Sequence, residues 1–494
     1  MLLEDDADWV IVGTGAGGAT AARVLSETGS VVMLEEGALL DTKNRPRAMV
    51  HAMRQAFRDM GTNTTLGAHP LPILQGRCVG GSTAINSGII WRLPDDVRVD
   101  WTQRFGLGDL VEERALDRIF DQIEREIDVQ PTSDEVLGRN GSLMKDAAKK
   151  LGLPGKAIAR NAGACKGRGE CLQGCPGEAR QSMDVSYVPR AIKAGARLHP
   201  LARAQKIVME GRRAVAVEGD LLDDHRKKIG TFRVRAKKGV IVAASVIYTP
   251  VLLRRSGLGG LVGDRLQLHP GSAVVGRFDE PVGMGFGATQ GYEIPQRERG
   301  FKIESLSLPP EMLAARLPGA GAEWQRRLGE LDHYAQWAVQ VRMRAHGTVR
   351  PAGNNGEAAI HFTPLPEDIR KIKDGIVTIC KLFFAAGATE VLPGIGRLPV
   401  VLRDPSEVEL VERANIEQKD LHMMASHLFG TAVAGADAAT SVVGPDLQHH
   451  DVRGLYVMDA SVFPTNLGVN PQHSIMGIVW RAAERLAEVR SAAA

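Results

Sequence analysis

The chain has 494 residues, 44% of them apolar and 24% charged, with a formal charge of +3. Such a length allows two or three domains around a large core, and the composition is ordinary for a globular protein. So small a net charge excludes a surface built for nucleic acid, and five cysteines are too few for a disulfide framework.

The first residues, MLLEDDAD, are acidic and lack an apolar run, and no stretch reaches transmembrane length. A cytoplasmic protein is the expectation. The basic clusters at 226–228 and 235–238 read as solvated surface.

Trp9, Val10, Ile11 and Val12 form a short apolar run of the kind buried in a parallel sheet. Gly13, Gly15 and Gly18 follow as G-x-G-x-x-G. Gly13 permits the tight turn, Gly15 lets a pyrophosphate approach the backbone, and Gly18 lets the next helix lie close on the sheet. That helix is predicted over 19–27, with its amide dipoles aimed at the phosphates. A second strand is predicted over 31–34 and ends at Glu35. An acid there suits the ribose hydroxyls of a dinucleotide and opposes a 2′-phosphate, so NADP is disfavoured.

Over 45–60, Met49, Met53, Phe57 and Met60 recur at helical spacing and read as a core stripe. The glycine-rich string 75–88 exposes backbone amides to an anion or a flat ring. Residues 110–127 read as an exposed helix with charge on most faces. Cys165, Cys171 and Cys175 fall within eleven residues. Three thiolates so close can bind a metal or an iron cluster, or stay as reduced thiols. Cys78 and Cys380 read as packing residues. Residues 196–219 read as strand, turn and strand, and 357–362 as a strand. Ile369, Ile372, Ile376 and Ile379 read as a helix packed on a sheet.

Four blocks in order resemble the glucose–methanol–choline (GMC) family of flavoprotein oxidoreductases. They are the fingerprint ending in Leu34-Glu35-Glu36-Gly37, the loop Gly80-Gly81-Ser82-Thr83-Ala84-Ile85-Asn86, the segment 240–259, and the segment 454–464 followed by Asn470-Pro471. Ser245 stands where the family usually has glycine.

The resemblance implies an α/β protein of the GMC fold. A Rossmann-type FAD-binding domain (1–98, 190–264 and 430–494) interleaves with an α+β substrate domain (99–189 and 265–429). The latter is built on an antiparallel sheet and carries a cysteine-containing insert at 161–182. FAD is the implied cofactor. Its implied contacts are Gly13, Gly15, Gly18, Glu35, Arg77, Gly80, Gly81, Ser82, Asn86, Ala204, Asp459, Ala460, Asn470 and Pro471.

The segment Ser426-His427-Leu428-Phe429-Gly430-Thr431 matches the family's H-x-x-G-[TS]. The resemblance places His427 before the flavin as general base for alcohol oxidation, a role that suits an imidazole. Gln472 stands where relatives carry His or Asn. An amide can orient but not take a proton, so Asn470 is the other candidate partner. His473 faces away by register, and His422 receives no role.

The cysteine spacing resembles that of flavin glucose dehydrogenases with a three-iron cluster, and also that of long-chain-alcohol oxidase relatives. The implied partners are an apolar alcohol and an electron-acceptor protein or quinone. A dehydrogenase is favoured over an oxygen-reducing oxidase, with a non-redox lyase or decarboxylase as the remaining alternative. Phe286, Phe383, Phe384 and Phe429 suggest an apolar pocket, or simply core.

Overall fold

Two seven-stranded sheets organise the chain, and each collects strands from distant segments. The structure is a computed structural model that describes residues 2–353 and 356–488. The extreme ends of the outlined segments 1–98 and 430–494 lie outside the described residues.

The labelled elements run in chain order: β1 (Leu2–Val12), α1 (Ala16–Leu25), β2 (Val31–Leu34), α2 (Met49–Ala56), α3 (Glu113–Glu126), β3 (Arg197–His199), β4 (Ala202–Glu210), β5 (Arg213–Leu222), β6 (Lys228–Val242), α4 (Ser245–Arg255), β7 (Gln267–Arg277), β8 (Tyr292–Gln296), β9 (Phe301–Ser305), α5 (Pro310–Ala314), β10 (Tyr334–Val341), α6 (Pro366–Ala386), β11 (Glu390–Leu392), β12 (Met423–Phe429), β13 (Leu455–Val457) and α7 (Gln472–Glu488).

The first sheet has the order β3-β2-β1-β6-β5-β4, with β13 also on β6. β1 pairs in parallel with β2 in the register Trp9↔Val31 to Val12↔Leu34. β6 pairs in parallel with β1 and β13 and antiparallel with β5. The apolar runs of β1 and β2 are buried because helices and loops cover both faces. α1 begins three residues earlier than the sequence suggests, because Gly15 in extended backbone is its N-cap.

The second sheet is antiparallel, in the order β11-β7-β10-β9-β8 and then the short strand Lys156–Ala157. β12 also lies on β7. Period-two alternation divides its side chains. Trp337 points back and stacks on Phe383 of α6 with ring centroids 3.8 Å apart. Ala338 and Gln340 point forward, opposite Glu304 and Lys302 of β9. The forward face looks onto the first sheet's strand ends. An antiparallel sheet thus roofs a mixed one whose centre is parallel, the α/β arrangement that the resemblance implies.

Two helices differ from the sequence reading. α2 is shorter than 45–60, because Phe57 turns to extended backbone and Met60 is exposed in left-handed backbone. α3 is amphipathic rather than exposed. Leu116, Ile119, Phe120 and Ile123 bury one stripe facing α7, and the surrounding charges mask it in the sequence. Ser245 adopts φ 82°. The family's glycine position therefore needs left-handed backbone, which here a serine supplies.

Candidate functional site

A cavity of about 560 Å³ runs between the two sheets and joins Gly13, Gly15 and Glu35 at one end to His269, His427 and Asn470. At the first end, Gly13 has φ 97°, and a Cβ there would meet the Ala243 carbonyl at 2.2 Å. A Cβ on Gly18 would meet the Gly13 carbonyl at 1.9 Å. These two glycines pack helix on strand. Gly15 is different: a Cβ there would meet nothing within 4 Å, because its α-carbon faces the cavity. The donor-rich end of α1 opens on the same space.

Thr14 ties this end together. Glu35 accepts hydrogen bonds from the Thr14 amide (3.0 Å) and hydroxyl (2.7 Å) and from the Gly37 amide (2.8 Å). Burial raises the Glu35 carboxyl, and those donors work against it. The Gly80 amide donates to the Thr14 hydroxyl at 3.1 Å. A Cβ on Gly81 would reach the Gly15 α-carbon at 3.0 Å, so the 80–86 loop lies directly on the fingerprint. Ser82, Asn86, Arg77 and Ala204 line the cavity. Arg77 pairs with Glu36 at 3.6 Å and Asp59 at 3.5 Å. The Asp459 carboxylate is occupied by Ser245, Thr249 and Ser461.

At the other end His427 of β12 stands directly across the strand pair from His269 of β7. Their Nδ1 atoms are 3.1 Å apart. Asn470 Nδ2 lies 3.5 Å from His427 Nε2. Behind Asn470 is Lys302, which donates to Asn470 Oδ1 and to Glu293 (3.1 Å) and also contacts Glu304. Burial opposes the ammonium charge, but Glu304 and Glu293 outweigh it and hold Lys302 above its ordinary value.

This chain of contacts fixes a tautomer. An ammonium only donates, so Asn470 must turn its oxygen to Lys302 and its amide N–H to His427. His427 Nε2 is then the lone-pair nitrogen and Nδ1 carries the proton, donated to His269. Burial, then the Lys302 charge, push the His427 pKa down to about 3, so the ring is neutral at ordinary pH.

The model of the N-terminal part of GMC oxidoreductases matches residues 8–271 and that of the C-terminal part matches 343–478. A GMC-type oxidoreductase of Mycobacterium tuberculosis is 38% identical over 97% of this chain and 75% of its own length. The chain is a GMC oxidoreductase. A long-chain-alcohol oxidase of Arabidopsis thaliana is 26% identical over 96% of this chain and 67% of its own length. The formate oxidase of Aspergillus oryzae superposes with a TM-score of 0.75 at 16% identity, over 99% of both chains.

Membership of the family makes the chain a flavoprotein oxidoreductase. Among the described residues no helix is long and apolar enough to cross a membrane.

Other predicted residues of this GMC oxidoreductase fall outside the His427 cluster. Gln472 accepts from Asn86 at 2.7 Å, so it ties the 80–86 loop to α7. His473 is buried away from the cavity against Phe120 and Glu124. His422 is exposed, and its carbonyl accepts from Ser272. None of the four phenylalanines, read as pocket or simply core, lines the cavity. Phe286 is 55% exposed, and Phe383 packs behind the sheet. The lining aromatics include Phe57, grouped with Met49 and Met53.

Among the described residues, no three His, Cys, Asp or Glu side chains converge on a single metal ion. The three clustered sulfurs each accept an N–H. Cys171 accepts from Arg160 at 3.1 Å, Cys165 from the Gly167 amide at 3.4 Å, and Cys175 from the Arg180 amide at 3.4 Å. Burial would raise the Cys171 thiol, but Arg160 and Arg180 outweigh it and leave it low. Arg160 and Arg180 are buried, and they also hold the carbonyls of Ser87, Asn86 and Ala84. The insert is thereby fastened to the loop at the cavity. Cys78 and Cys380 are buried, and burial pushes both thiols up to about 12, as packing residues require.

Thr14, His269 and Lys302 were not found from sequence. Lys302 lies in Phe301–Ser305, a strand whose five residues are all buried, polar ones included, which its sequence does not announce.

Proposed function

We propose that this oxidoreductase oxidises an apolar primary alcohol, with His427 as the group that takes the hydroxyl proton. The observation that carries the reading is the single cavity joining Gly15 to His427. The names of relatives, long-chain-alcohol oxidases among them, support an alcohol as substrate.

FAD fits this cavity: Gly15 leaves backbone open to a pyrophosphate, and Glu35 stands at the ribose position. Gly13 and Gly18 shape that turn. Arg77, Gly81, Ser82, Asn86, Ala204, Asp459, Ala460, Asn470 and Pro471 complete the wall, and Gly80, behind it, fastens its loop to Thr14. On this reading the segments 1–98, 190–264 and 430–494 hold the cofactor, and 99–189 and 265–429 face the substrate. FAD, when bound, supplies the acceptor for the carbinol hydride.

The chain's own residues supply the proton step. His427 Nε2 presents its lone pair, and the 3.5 Å Asn470 contact is long enough for a substrate hydroxyl to replace it. His269 receives the Nδ1 proton and holds the ring plane. Asn470 is the partner group, and Gln472 steadies the loop. The test is anaerobic mixing of the holoenzyme with primary alcohols, sterols, aryl alcohols and sugars. Loss of flavin absorbance with primary alcohols first is expected. No loss with any alcohol would sink the reading.

Lys302 acts through Asn470. Lys302→Met, made together with Glu304→Gln to avoid stranding a carboxylate, should lower kcat/KM by about tenfold to a hundredfold, the worth of a hydrogen bond to a charged group. The substitution also removes one cause of the low His427 pKa. Protonation of His427 should then begin at higher pH, and the acid limb of the kcat/KM profile should move up. An unmoved limb would assign Lys302 to packing alone.

A second cofactor reading is a three-iron cluster on Cys165, Cys171 and Cys175, raised by their spacing, although each sulfur accepts a protein N–H and the described residues do not converge on a metal. Iron and acid-labile sulfide in anaerobically purified protein decide it. Their absence leaves three thiols held by Arg160 and Arg180.

A further inference from the structure

Arg316 lies just past α5 and lines the cavity, as do Leu306, Leu308 and Met312. It is half-buried, and among the described residues its guanidinium has no ion pair and no hydrogen bond. Other cavity cations do have partners. Arg58 pairs with Glu36 at 2.6 Å, Arg77 with Glu36 and Asp59, and Arg203 with Asp220 at 3.0 Å. An unpaired cation in an apolar wall is costly unless something answers it.

Burial lowers the Arg316 pKa. Met312, four residues before Arg316 and one helical turn away, packs with Met49 and Phe57 of the cluster under α2. Arg316 is thus a cation without a partner among the described residues, one turn from the apolar cluster that lines part of the cavity.

We propose that Arg316 receives a carboxylate at the end of the substrate remote from its hydroxyl. The substrate class is then an amphiphilic hydroxy acid: an apolar chain with an alcohol at one end and an anion at the other. A guanidinium matches a carboxylate with two parallel N–H donors, and the interaction gains strength in an apolar wall. This rests on the alcohol-oxidising reading only for the identity of the hydroxyl end.

The test uses the holoenzyme and its Arg316→Met variant, which keeps length and apolar bulk, with Arg316→Lys as the charge-keeping control. Two measurements are made. The first is binding of dodecanoate, which has no hydroxyl, read by perturbation of flavin absorbance. The second is kcat/KM for ω-hydroxydodecanoate against dodecanediol. Arg316→Met should weaken dodecanoate binding about tenfold to a hundredfold. It should cost the hydroxy acid a similar factor and leave the diol within about twofold. Arg316→Lys should fall between.

Three results would overturn the proposal: unchanged dodecanoate binding, equal losses for acid and diol, or loss of flavin itself. The last would mean that Arg316 answers the phosphates of the cofactor. If wild-type enzyme oxidised no alcohol while dodecanoate binding still depended on Arg316, the anion site would stand and the alcohol reading would fall.

Discussion

Replacing His427 by alanine should lower the rate of alcohol oxidation by roughly a hundredfold to ten-thousandfold, the usual worth of a positioned base. The assay is single-turnover loss of flavin absorbance without oxygen. Flavin content should be unchanged, because Gly15 and the 80–86 loop make their contacts without His427. The pKa of about 3 gives a second expectation. The ring is already neutral above that pH, so wild-type kcat/KM should show no acid limb from His427 between pH 5 and pH 8. Gln472→Ala should cost less, since Gln472 bonds Asn86 rather than His427. A larger loss for Gln472→Ala, or a wild-type rate for His427→Ala, would reassign the proton step.

The parts of this site that could be read in advance are those that local sequence determines. A strand, a glycine turn, a helix and a second strand follow one another without interruption, and β2 falls on the four residues that its apolar run marks. His427 was legible only through its flanking residues. His269 lies 158 residues from it in the chain, and only antiparallel pairing of β7 and β12 makes them neighbours. Lys302 was hidden for a related reason. A lysine in a strand usually faces water, and only Glu293 on the next strand, with Glu304, makes its burial tolerable. The phenylalanines were left as pocket or core because composition does not say which face of an element a ring occupies. Phe383 belongs to the back of the roofing sheet, where Trp337 receives it. The stripe of α3 was missed because acidic and basic side chains flank all four of its apolar residues.

Gly15→Val should yield a folded protein that has lost its flavin. The four glycines of the turn differ in what a side chain would strike. At Gly13, Gly17 and Gly18 a Cβ would come within 2.2 Å, 1.9 Å and 1.9 Å of backbone oxygens. Substitution there must push helix from sheet, so unfolding and loss of cofactor would be confounded. Gly15 has extended backbone at φ −69°, which valine adopts readily, and open space where a Cβ would go. The branched side chain would stand in the cavity between α1 and the 80–86 loop, where the pyrophosphate must approach the backbone. The measurements are flavin content after purification and the thermal midpoint against wild-type protein stripped of flavin. Equal midpoints with no retained flavin are expected. Retained flavin would place the pyrophosphate elsewhere, and a midpoint far below the stripped wild type would show that Gly15 also packs the fold.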